Sequence, residues 1–346
     1  MSEFSELHDE LRAVAADLLA KDAVDWPLLV SAGWVGVDAP ESAGGAGATL
    51  AEVAVICEEL GRAAAATSYL GGAVLTVGAL DALQDSVFRD ALMRDVVAGK
   101  IRAALALPAG GSPAPFVLDT TRLGWRIHGR AGFVSDAVGA GRLLLPVRDG
   151  DGVAALVEVA ADTPGLTVTE QPVLDETRRL ATVTAEAVEV DVDAVWRFDG
   201  DPEQRLRALT DRAALAVACD SLGVAQAMLE ATVAYTGVRQ QFGRAIGSFQ
   251  AVKHACADML VQISVARQLV NAAIAVGGGA VPATSMAKAY ATETAVAVAG
   301  KAMQLHGGIG YTWESGVHVY LKRATLNRSL FGSPAEHRAR ISARYR

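Results

Sequence analysis

The hydrophobic pattern of this 346-residue chain changes its period twice, and this change limits the folds that the chain can adopt. Apolar residues recur at helical spacing up to about residue 100, alternate with polar residues from about 101 to about 200, and then return to helical spacing. Helices, then strands, then helices favour an α+β multidomain chain. We predict a helical N-terminal domain over residues 1 to 100, a middle antiparallel β domain over 101 to 200, and a C-terminal four-helix bundle over 201 to 346.

Local signals place several elements within this outline. A helix is expected from Leu50 to Gly61, because Thr49 suits an N-cap and Gly61 suits the position just after a helix. In the middle domain, short alternating runs are separated by Gly, Pro and Asp, as in antiparallel strands joined by tight turns. The runs include Leu123, Trp125 and Ile127 up to a break at Gly129, then Arg142–Val147, Val153–Val159, Leu166–Thr169 and Leu180–Val190.

The third domain carries an apolar stripe at alternating intervals of four and three residues, which suits packing in an antiparallel bundle. Its members are Val252, Cys256, Met259, Ile263, Ala266, Val270 and Ala273. A loop is expected from Gly277 to Pro282. The next helix is expected from about Ala283 to His306, where Gly307 and Gly308 form a helix-ending signal.

Composition and charge argue against several classes of protein. The net charge of −8 and the pI near 5.3, without a long charged block, argue against a nucleic-acid partner. No basic segment precedes an apolar one at the N-terminus, and no apolar run reaches about 18 residues, so neither a signal peptide nor a membrane span is expected. Cys57, Cys219 and Cys256 form no CxxC pair, and the six histidines are scattered. We therefore expect free thiols in a reducing cytoplasm and no metal site.

Two stretches of the third domain suggest a ligand. The first runs from Tyr235 to Gln250: a helix ends at Arg239, an aromatic–glycine turn follows at Phe242, and a new helix starts near Gln250. A guanidinium, an amide and an aromatic face at one end of a bundle suit a diphosphate attached to a flat heteroaromatic ring. The second stretch starts at Gln304, and its three glycines in four positions let backbone N–H groups approach a ligand. Each stretch alone is also typical of an ordinary helix end.

Together, these stretches resemble the acyl-CoA dehydrogenases. Their patterns R-x-x-F-G-x-x-I-x-x-F-Q and Q-x-x-G-G-x-G-Y both stand here intact, from Arg239 and from Gln304. Met286-Ala-Lys-Ala and Tyr320-Leu-Lys-Arg-Ala also match, and Gly129-Arg-Ala-Gly-Phe-Val-Ser lies where the family has G-x-K-x-W-I-T/S. The resemblance is dense from Pro202 to the end of the chain and thinner before it.

The resemblance implies FAD shared between two subunits. Carried over by position, Arg239 would hold the FAD diphosphate of a neighbouring subunit, Phe242 would pack on the adenine side, and Gln250 would complete that turn. The resemblance also implies that the adenosine-diphosphate half meets Gln304, Gly307 and Gly308.

The β domain is implied to bind the flavin ring of the same cofactor. Phe133 would cover the isoalloxazine ring, Ser135 would hydrogen-bond near its N5, and Leu105 and Ala106 match backbone positions beside its pyrimidine edge. The implied reaction removes the α-proton of an acyl-CoA while the β-hydride passes to flavin N5, with electron-transfer flavoprotein as the acceptor. The implied assembly is a homo-oligomer or a heterotetramer with a second family member.

The base that this reaction needs is missing from its usual places. Most family members have a glutamate in a Y-E-G-T turn, where this chain has Phe331. A minority have it on an earlier helix, where this chain has Ala213. Asp220 lies two turns further along the same helix face and is the candidate substitute. Three alternatives remain open: a dehydrogenase that uses Asp220, a non-catalytic FAD-sharing subunit of a heterotetramer such as the steroid side-chain enzymes form, and a relative that uses flavin for oxygen chemistry.

Overall fold

The structure is a computed structural model that describes residues 3–20, 24–121, 124–277 and 281–344. Its first part is helical, and a buried π-helical turn, Leu70–Leu75, leads directly into the fourth helix. The helices are α1 (Glu3–Leu19), α2 (Trp26–Ser31), α3 (Leu50–Arg62), α4 (Thr76–Asp81) and α5 (Val87–Val97).

The middle part is a mostly antiparallel sheet. Its strands are β1 (Ala103–Leu105), β2 (Phe116–Thr121), β3 (Gly124–Ser135), β4 (Arg142–Arg148), β5 (Ala154–Ala160), β6 (Leu166–Gln171), β7 (Leu180–Val190) and β8 (Val195–Trp196). Their order is β6-β7-β3-β2-β4-β5-β8, and β1 pairs with β4. The contacts of β4 with β1 and β2 are parallel. The faces of these strands enclose an apolar core of their own.

The last part is a helical bundle with a small hairpin inserted between its first two helices. The elements are α6 (Pro202–Val238), β9 (Gln240–Gln241), β10 (Arg244–Ala245), α7 (Gln250–Ala275), α8 (Val281–His306), α9 (Val317–Ser329) and α10 (Pro334–Ala343). The predicted fold class is confirmed: a helical N-terminal part, a mostly antiparallel sheet and a helical C-terminal part follow one another.

The predicted helix at Leu50 begins as expected but ends differently. The Thr49 hydroxyl accepts a hydrogen bond from the Ala51 N–H, and Glu52 closes a capping box. Gly61 lies inside α3 and is not the residue that follows it, so that part of the prediction is wrong. A Cβ at Gly61 would stand 1.9 Å from the Asp220 carbonyl oxygen, and one at Gly223 would stand 1.8 Å from that of Glu58. Both glycines let the backbones of α3 and α6 touch where they cross.

Two other local predictions are corrected by the structure. The β3 strand runs through Gly129 and does not stop there, because a register shift beside this residue absorbs its φ of +144°. Leu123 lies outside the described residues, as do residues 278–280 of the predicted loop. In α7, the stripe from Met259 to Ala273 faces the core as predicted, whereas Val252 and Cys256 at its start are only half-buried.

Helix α6 passes through the middle of the molecule. Among the described residues it is the one helix long and apolar enough to cross a bilayer, but 83% of its apolar window is buried inside the fold. A core helix passes the same test of length and composition. Its central residues contact α3, the β domain and α9, so α6 places the residues of all three parts relative to one another.

Candidate functional site

The hairpin between α6 and α7 exposes a strained aromatic residue. Phe242 and Gly243 form its two-residue turn with φ values of +53° and +75°. Turns of this kind have two left-handed residues and favour Asn-Gly, because a bulky side chain is strained there. Phe242 is nevertheless 89% exposed, and its ring makes only an edge contact with Phe249, at 6.0 Å between centroids. Nothing within the described part of the chain accounts for an aromatic residue at this tip.

The two sequence stretches meet at one end of the bundle. Helices α6 and α8 run side by side and end together, with Tyr235 stacked on His306 at 4.5 Å between ring centroids. Arg239 follows the end of α6, and the N-terminus of α7 at Gln250 has no side-chain cap. Arg239, Gln250 and Gln304 are all exposed. This end therefore presents a guanidinium, two amides and free backbone donors to solvent, a combination that suits an anion.

The three glycines after α8 differ in what the chain requires of them. Gly307 has a φ of +62°, and a Cβ at Gly310 would stand 2.5 Å from the Met303 carbonyl oxygen. The fold of the chain therefore explains why Gly307 and Gly310 are glycines. Gly308 has no left-handed backbone, and nothing lies within 4 Å of its added Cβ. Its lack of a side chain fits close approach by a group from outside the chain.

The end of β3 has features that fit a flavin. Phe133 sits in a bulge with a φ of +53°, its ring is about half exposed, and its N–H donates to Gln171 Oε1 at 2.6 Å. Two residues later, Ser135 is buried, and its hydroxyl has no hydrogen-bond partner among the described residues. An unpaired buried hydroxyl is uncommon, and a flavin nitrogen is a suitable partner for it. The predicted roles of both residues fit this geometry.

Leu105 and Ala106 are fully buried at the end of β1, next to β4. The Ala106 N–H donates to the Leu144 carbonyl oxygen at 2.8 Å. Because this N–H is already paired within the sheet, only the carbonyl group of Ala106 is left for the predicted contact with a flavin.

The two sets of residues lie far apart in one chain. The Asp136 N–H, next to Ser135, donates to the Arg179 carbonyl, and the neighbouring Arg178 reaches Asp220 in the middle of α6 at 3.0 Å. Arg239 lies about 28 Å further along the axis of α6, at about 1.5 Å per residue. The β-domain set and the hairpin set are thus two separate candidate half-sites.

Comparison with known proteins identifies the family. The chain matches the family model "Acyl-CoA dehydrogenase, C-terminal domain" over residues 206–345 and "Acyl-CoA dehydrogenase, N-terminal domain" over residues 4–90. It is 33% identical to acyl-CoA dehydrogenase IpdE2 of Mycolicibacterium smegmatis, over 97% of this chain and 92% of that protein. The chain belongs to the acyl-CoA dehydrogenase family. A second relative, IpdE2 of Mycobacterium tuberculosis, is 32% identical over 96% of this chain and 90% of that protein.

Solved structures agree with this assignment. The Tcur3481–Tcur3483 steroid ACAD, solved as a variant, superposes with a TM-score of 0.85 at 28% identity, covering 98% of this chain and 97% of that chain. The ChsE4–ChsE5 complex of Mycobacterium tuberculosis gives 0.87 at 25% identity, covering 100% and 98%. As a member of this family the chain is an FAD-dependent flavoprotein, in the class of oxidoreductases that act on CH–CH bonds.

The two positions at which the family resemblance would place the base hold buried apolar side chains. Phe331 is 3% exposed and Ala213 is fully buried, and both belong to one continuous apolar core. Neither position holds a group that can accept a proton, so the reaction cannot take its base from either place in this chain.

Asp220 is buried and paired on both of its carboxylate oxygens. Arg323 donates to Oδ1 at 3.0 Å and to Oδ2 at 2.6 Å, Asn327 donates to Oδ1 at 2.6 Å, and Arg178 lies 3.0 Å from Oδ2. Burial alone would raise the pKa of Asp220, but the charges of Arg178 and Arg323 outweigh it and lower the pKa to about 2. A saturated, strongly acidic carboxyl is a poor general base, so this geometry argues against the predicted catalytic role.

Sequence analysis overlooked a polar cluster behind the turn that carries Phe331. Lys288 is fully buried on α8, and Ser285 on the same helix contacts His337 on α10. Met286-Ala-Lys-Ala was noted only as a family match. The alignment of Lys288 with Ser285 and Thr292 on one side of an alanine-rich helix was the signal that could have revealed the cluster.

Proposed function

We propose that this chain is the base-lacking, FAD-sharing half of a two-component acyl-CoA dehydrogenase. Its partner would be a second family member that supplies the catalytic glutamate. The observation that carries this proposal is the burial of Phe331 and Ala213 at the two base positions. Asp220, the one substitute suggested by the sequence, is held by two arginines.

The flavin-binding residues support a working role for this chain in such an assembly. Arg239 would pair with the FAD diphosphate, while Phe242 and Gly308 offer the adenine side an exposed ring and open space. On the β domain, Ser135 has a free hydroxyl for the flavin ring. When bound, FAD supplies the hydride acceptor for the oxidation of an acyl-CoA. The residues of this chain position the cofactor and keep water from it, and they take no proton.

The exposed side of α7 supports assembly through the bundle. Leu260, Val261 and Val265 are each 41% to 62% exposed on a helix whose other face is in the core, and Val276, just after its end, is 53% exposed. Helices that are apolar on both faces normally have a further partner. The relatives described as the ChsE4–ChsE5 complex and as Tcur3481–Tcur3483 are named as pairs. We infer a cytoplasmic heterotetramer that oxidises an acyl-CoA and passes electrons to an electron-transfer flavoprotein.

Co-purification tests this proposal. The chain is expressed alone and together with a glutamate-bearing family member, FAD is quantified, and dehydrogenation is measured with an artificial electron acceptor on a panel of acyl-CoAs that includes a steroid-derived thioester. We expect no turnover by the chain alone and turnover by the pair. Replacing the glutamate of the partner by glutamine should lower the rate by about 10²- to 10⁴-fold. Turnover by the chain alone would contradict the proposal, and hydrogen peroxide production without acyl-CoA would favour oxygen chemistry.

Two variants of this chain assign its role within the pair. Arg239→Ala should reduce FAD retention, because a charged hydrogen bond to phosphate contributes about 1.5–3 kcal/mol. Arg244→Ala is the matched control, since Arg244 lies on the same hairpin and packs on Phe249. Asp220→Asn should leave the rate per bound FAD unchanged in the pair. A loss of rate at full FAD occupancy would instead make Asp220 the base.

A further inference from the structure

We propose that Phe331 is a plug, held by Lys288 and His337, that closes the acyl-binding space of this chain. The chain would then bind no acyl group in its own half, and the choice of acyl chain would rest with the partner. This inference rests on the proposed function. The plug lies in the segment from Ser329 to Pro334, in which Leu330, Phe331 and Pro334 are buried.

The backbone of the plug is strained and yet fixed. Phe331 has a φ of +54°, and Gly332 follows with a φ of +100°. A bulky residue in the left-handed region costs of order 1–3 kcal/mol and persists only where its surroundings hold it. The Phe331 N–H donates to the Ala109 carbonyl oxygen at 2.7 Å, and the Phe331 carbonyl lies 3.0 Å from His337 Nε2. Both backbone groups of this buried residue are therefore satisfied.

His337 has a defined role in this arrangement. Its Nε2 faces a carbonyl, which can only accept, so Nε2 carries the proton and donates to Phe331. Its Nδ1 then accepts from the Ser285 hydroxyl at 3.1 Å. Burial lowers the pKa of His337 to about 4, so the ring is neutral at physiological pH, as this pattern requires.

Lys288 provides a second hold on the turn. Its Nζ donates to the carbonyl of Gly332 at 2.9 Å and to that of Asn327 at 3.0 Å. Lys288 is fully buried, and no carboxylate among the described residues lies within 4.0 Å of its Nζ. A buried amine without an acidic partner is costly. Here its two bonds join the last turn of α9 to the residue after Phe331, so we assign Lys288 as the positioning residue of the plug.

The ring of Phe331 is part of the main apolar core and is 3% exposed. The same core includes Ala213 on α6 and Leu75 of the π-helical turn. Truncating a buried aromatic residue leaves a cavity. An apolar cavity of this kind stays dry and accepts small apolar molecules. The space opened by removing the Phe331 ring would accept a short, uncharged acyl chain.

The first experiment removes the plug. Wild type, Phe331→Ala and Phe331→Leu are purified as full chains with saturating FAD, and butyryl-CoA binding is measured by equilibrium dialysis. Thermal unfolding is followed with and without benzene. We expect Phe331→Ala to melt about 5 to 15 °C lower, to be restabilised by benzene, and to gain saturable butyryl-CoA binding. Wild type and the bulk-preserving Phe331→Leu should show neither ligand effect.

Butyryl-CoA binding by wild type as tight as that by Phe331→Ala would overturn the proposal. So would a Phe331→Ala variant with an unchanged melting temperature and no response to benzene. Because the chain is studied without a partner, this result is independent of the reconstitution assay. If wild type binds butyryl-CoA but only the pair shows turnover, the plug proposal is refuted and the proposed function stands.

The second experiment tests the hold of Lys288 without emptying the core. Trypsin can cut after Arg328, which is exposed at the end of α9 beside the turn. We expect Lys288→Met to be cut there at least about tenfold faster than wild type, because local opening exposes the bond. Cleavage after the exposed Arg239 serves as the internal control and should not change. Equal rates at Arg328 would show that Lys288 does not hold the turn.

Discussion

Phe133, Phe242 and Phe331 share a left-handed backbone, with φ values of +53° to +54°. For bulky side chains such a conformation is rare and costs of order 1–3 kcal/mol. Phe133 and Phe242 expose their rings at the two predicted flavin half-sites, whereas Phe331 is buried at an empty base position. Three strained phenylalanines thus lie at positions for which a function is predicted or proposed. We expect the first two to present a ring to a ligand and the third to fill a space.

Relieving the strain at Phe242 should separate stability from cofactor binding. Phe242→Asn puts a favoured residue into a turn with two left-handed positions, so the hairpin of the apoprotein should gain a few tenths of a kcal/mol or more. The same change removes the exposed ring, so FAD should dissociate faster. Apoprotein melting and the release of flavin fluorescence on dilution measure the two effects. Phe242→Tyr keeps the ring and should retain FAD. A variant with unchanged FAD release would remove Phe242 from the site.

Asp220 should contribute to stability more than to catalysis. Asp220→Asn leaves Arg178 and Arg323 buried beside a neutral amide, which we expect to lower the free energy of unfolding by about 3–5 kcal/mol at pH 7. The folded pKa of about 2 lies below the ordinary value of 3.8, so this stabilisation is complete above about pH 4 and is lost as the pH falls towards 2. The gap between variant and wild type should therefore shrink on acidification in urea unfolding experiments.

The matched control for this measurement is Asp211→Asn. Asp211 lies on the same helix and is equally buried, but it has one arginine partner, Arg340, which is one-third exposed. A smaller loss is expected there, because a partly exposed arginine can regain water. Equal losses in the two variants would mean that the double pairing of Asp220 adds nothing.

At the scale of elements, the sequence revealed what depends on local pattern. The alternating runs predicted the strands, and Thr49 predicted the start of α3, because periodicity and capping act over a few residues. The function of Gly61 was misjudged, because the reason for a glycine there is the backbone of Asp220, far along the chain. The partners of Asp220 were hidden in the same way, since Arg323 lies 103 residues away. The candidate flavin residues were predicted from family motifs and not from periodicity, and their role stays a prediction.

Helix α8 should make the stability of the protein depend on pH through Lys288. Burial lowers the pKa of Lys288 to about 7, and the charge of Glu336 opposes this shift only weakly. In the unfolded chain the pKa of this lysine is its ordinary value of 10.5. Above pH 7 the unfolded state therefore binds more protons than the folded state, and stability should rise with pH by up to a few kcal/mol. Lys288→Met should abolish this rise.

The stabilities of wild type and Lys288→Met are best compared between pH 7 and 8.5. Below this window His337 titrates, since its pKa of about 4 lies under the unfolded value of 6.5. Above it, burial raises the pKa of Cys57 to about 12, so stability begins to fall as unfolded thiols ionise near pH 9. Urea midpoints of wild type and Lys288→Met across the window give the comparison. Parallel slopes would mean that Lys288 remains charged in the fold.

The candidate flavin residues of the whole molecule form two groups, one on β1 and β3 and the other at the ends of α6 and α8, where Arg239 lies about 28 Å along α6 from Asp220. We therefore expect flavin retention to be a property of the assembly, because a single chain would not close on both ends of the cofactor. We expect the exposed apolar side chains of α7 to form the surface through which a second chain brings the missing half-site. Dissociation of the subunits should therefore also release the cofactor.

We expect Val261→Arg to dissociate the assembly and release FAD. Val261 is 62% exposed on the apolar side of α7, where a charge leaves a lone subunit unharmed but is costly to bury between two. Val87→Arg is the matched control, because Val87 is 79% exposed on α5, away from the bundle. Light scattering during size-exclusion chromatography, with flavin absorbance recorded on the same peak, gives mass and occupancy together. Val261→Arg should elute as smaller, colourless species with an unchanged circular dichroism spectrum, and Val87→Arg should match wild type. A monomeric Val261→Arg peak that kept its flavin would refute the idea of two half-sites, since a single chain would then hold the whole cofactor.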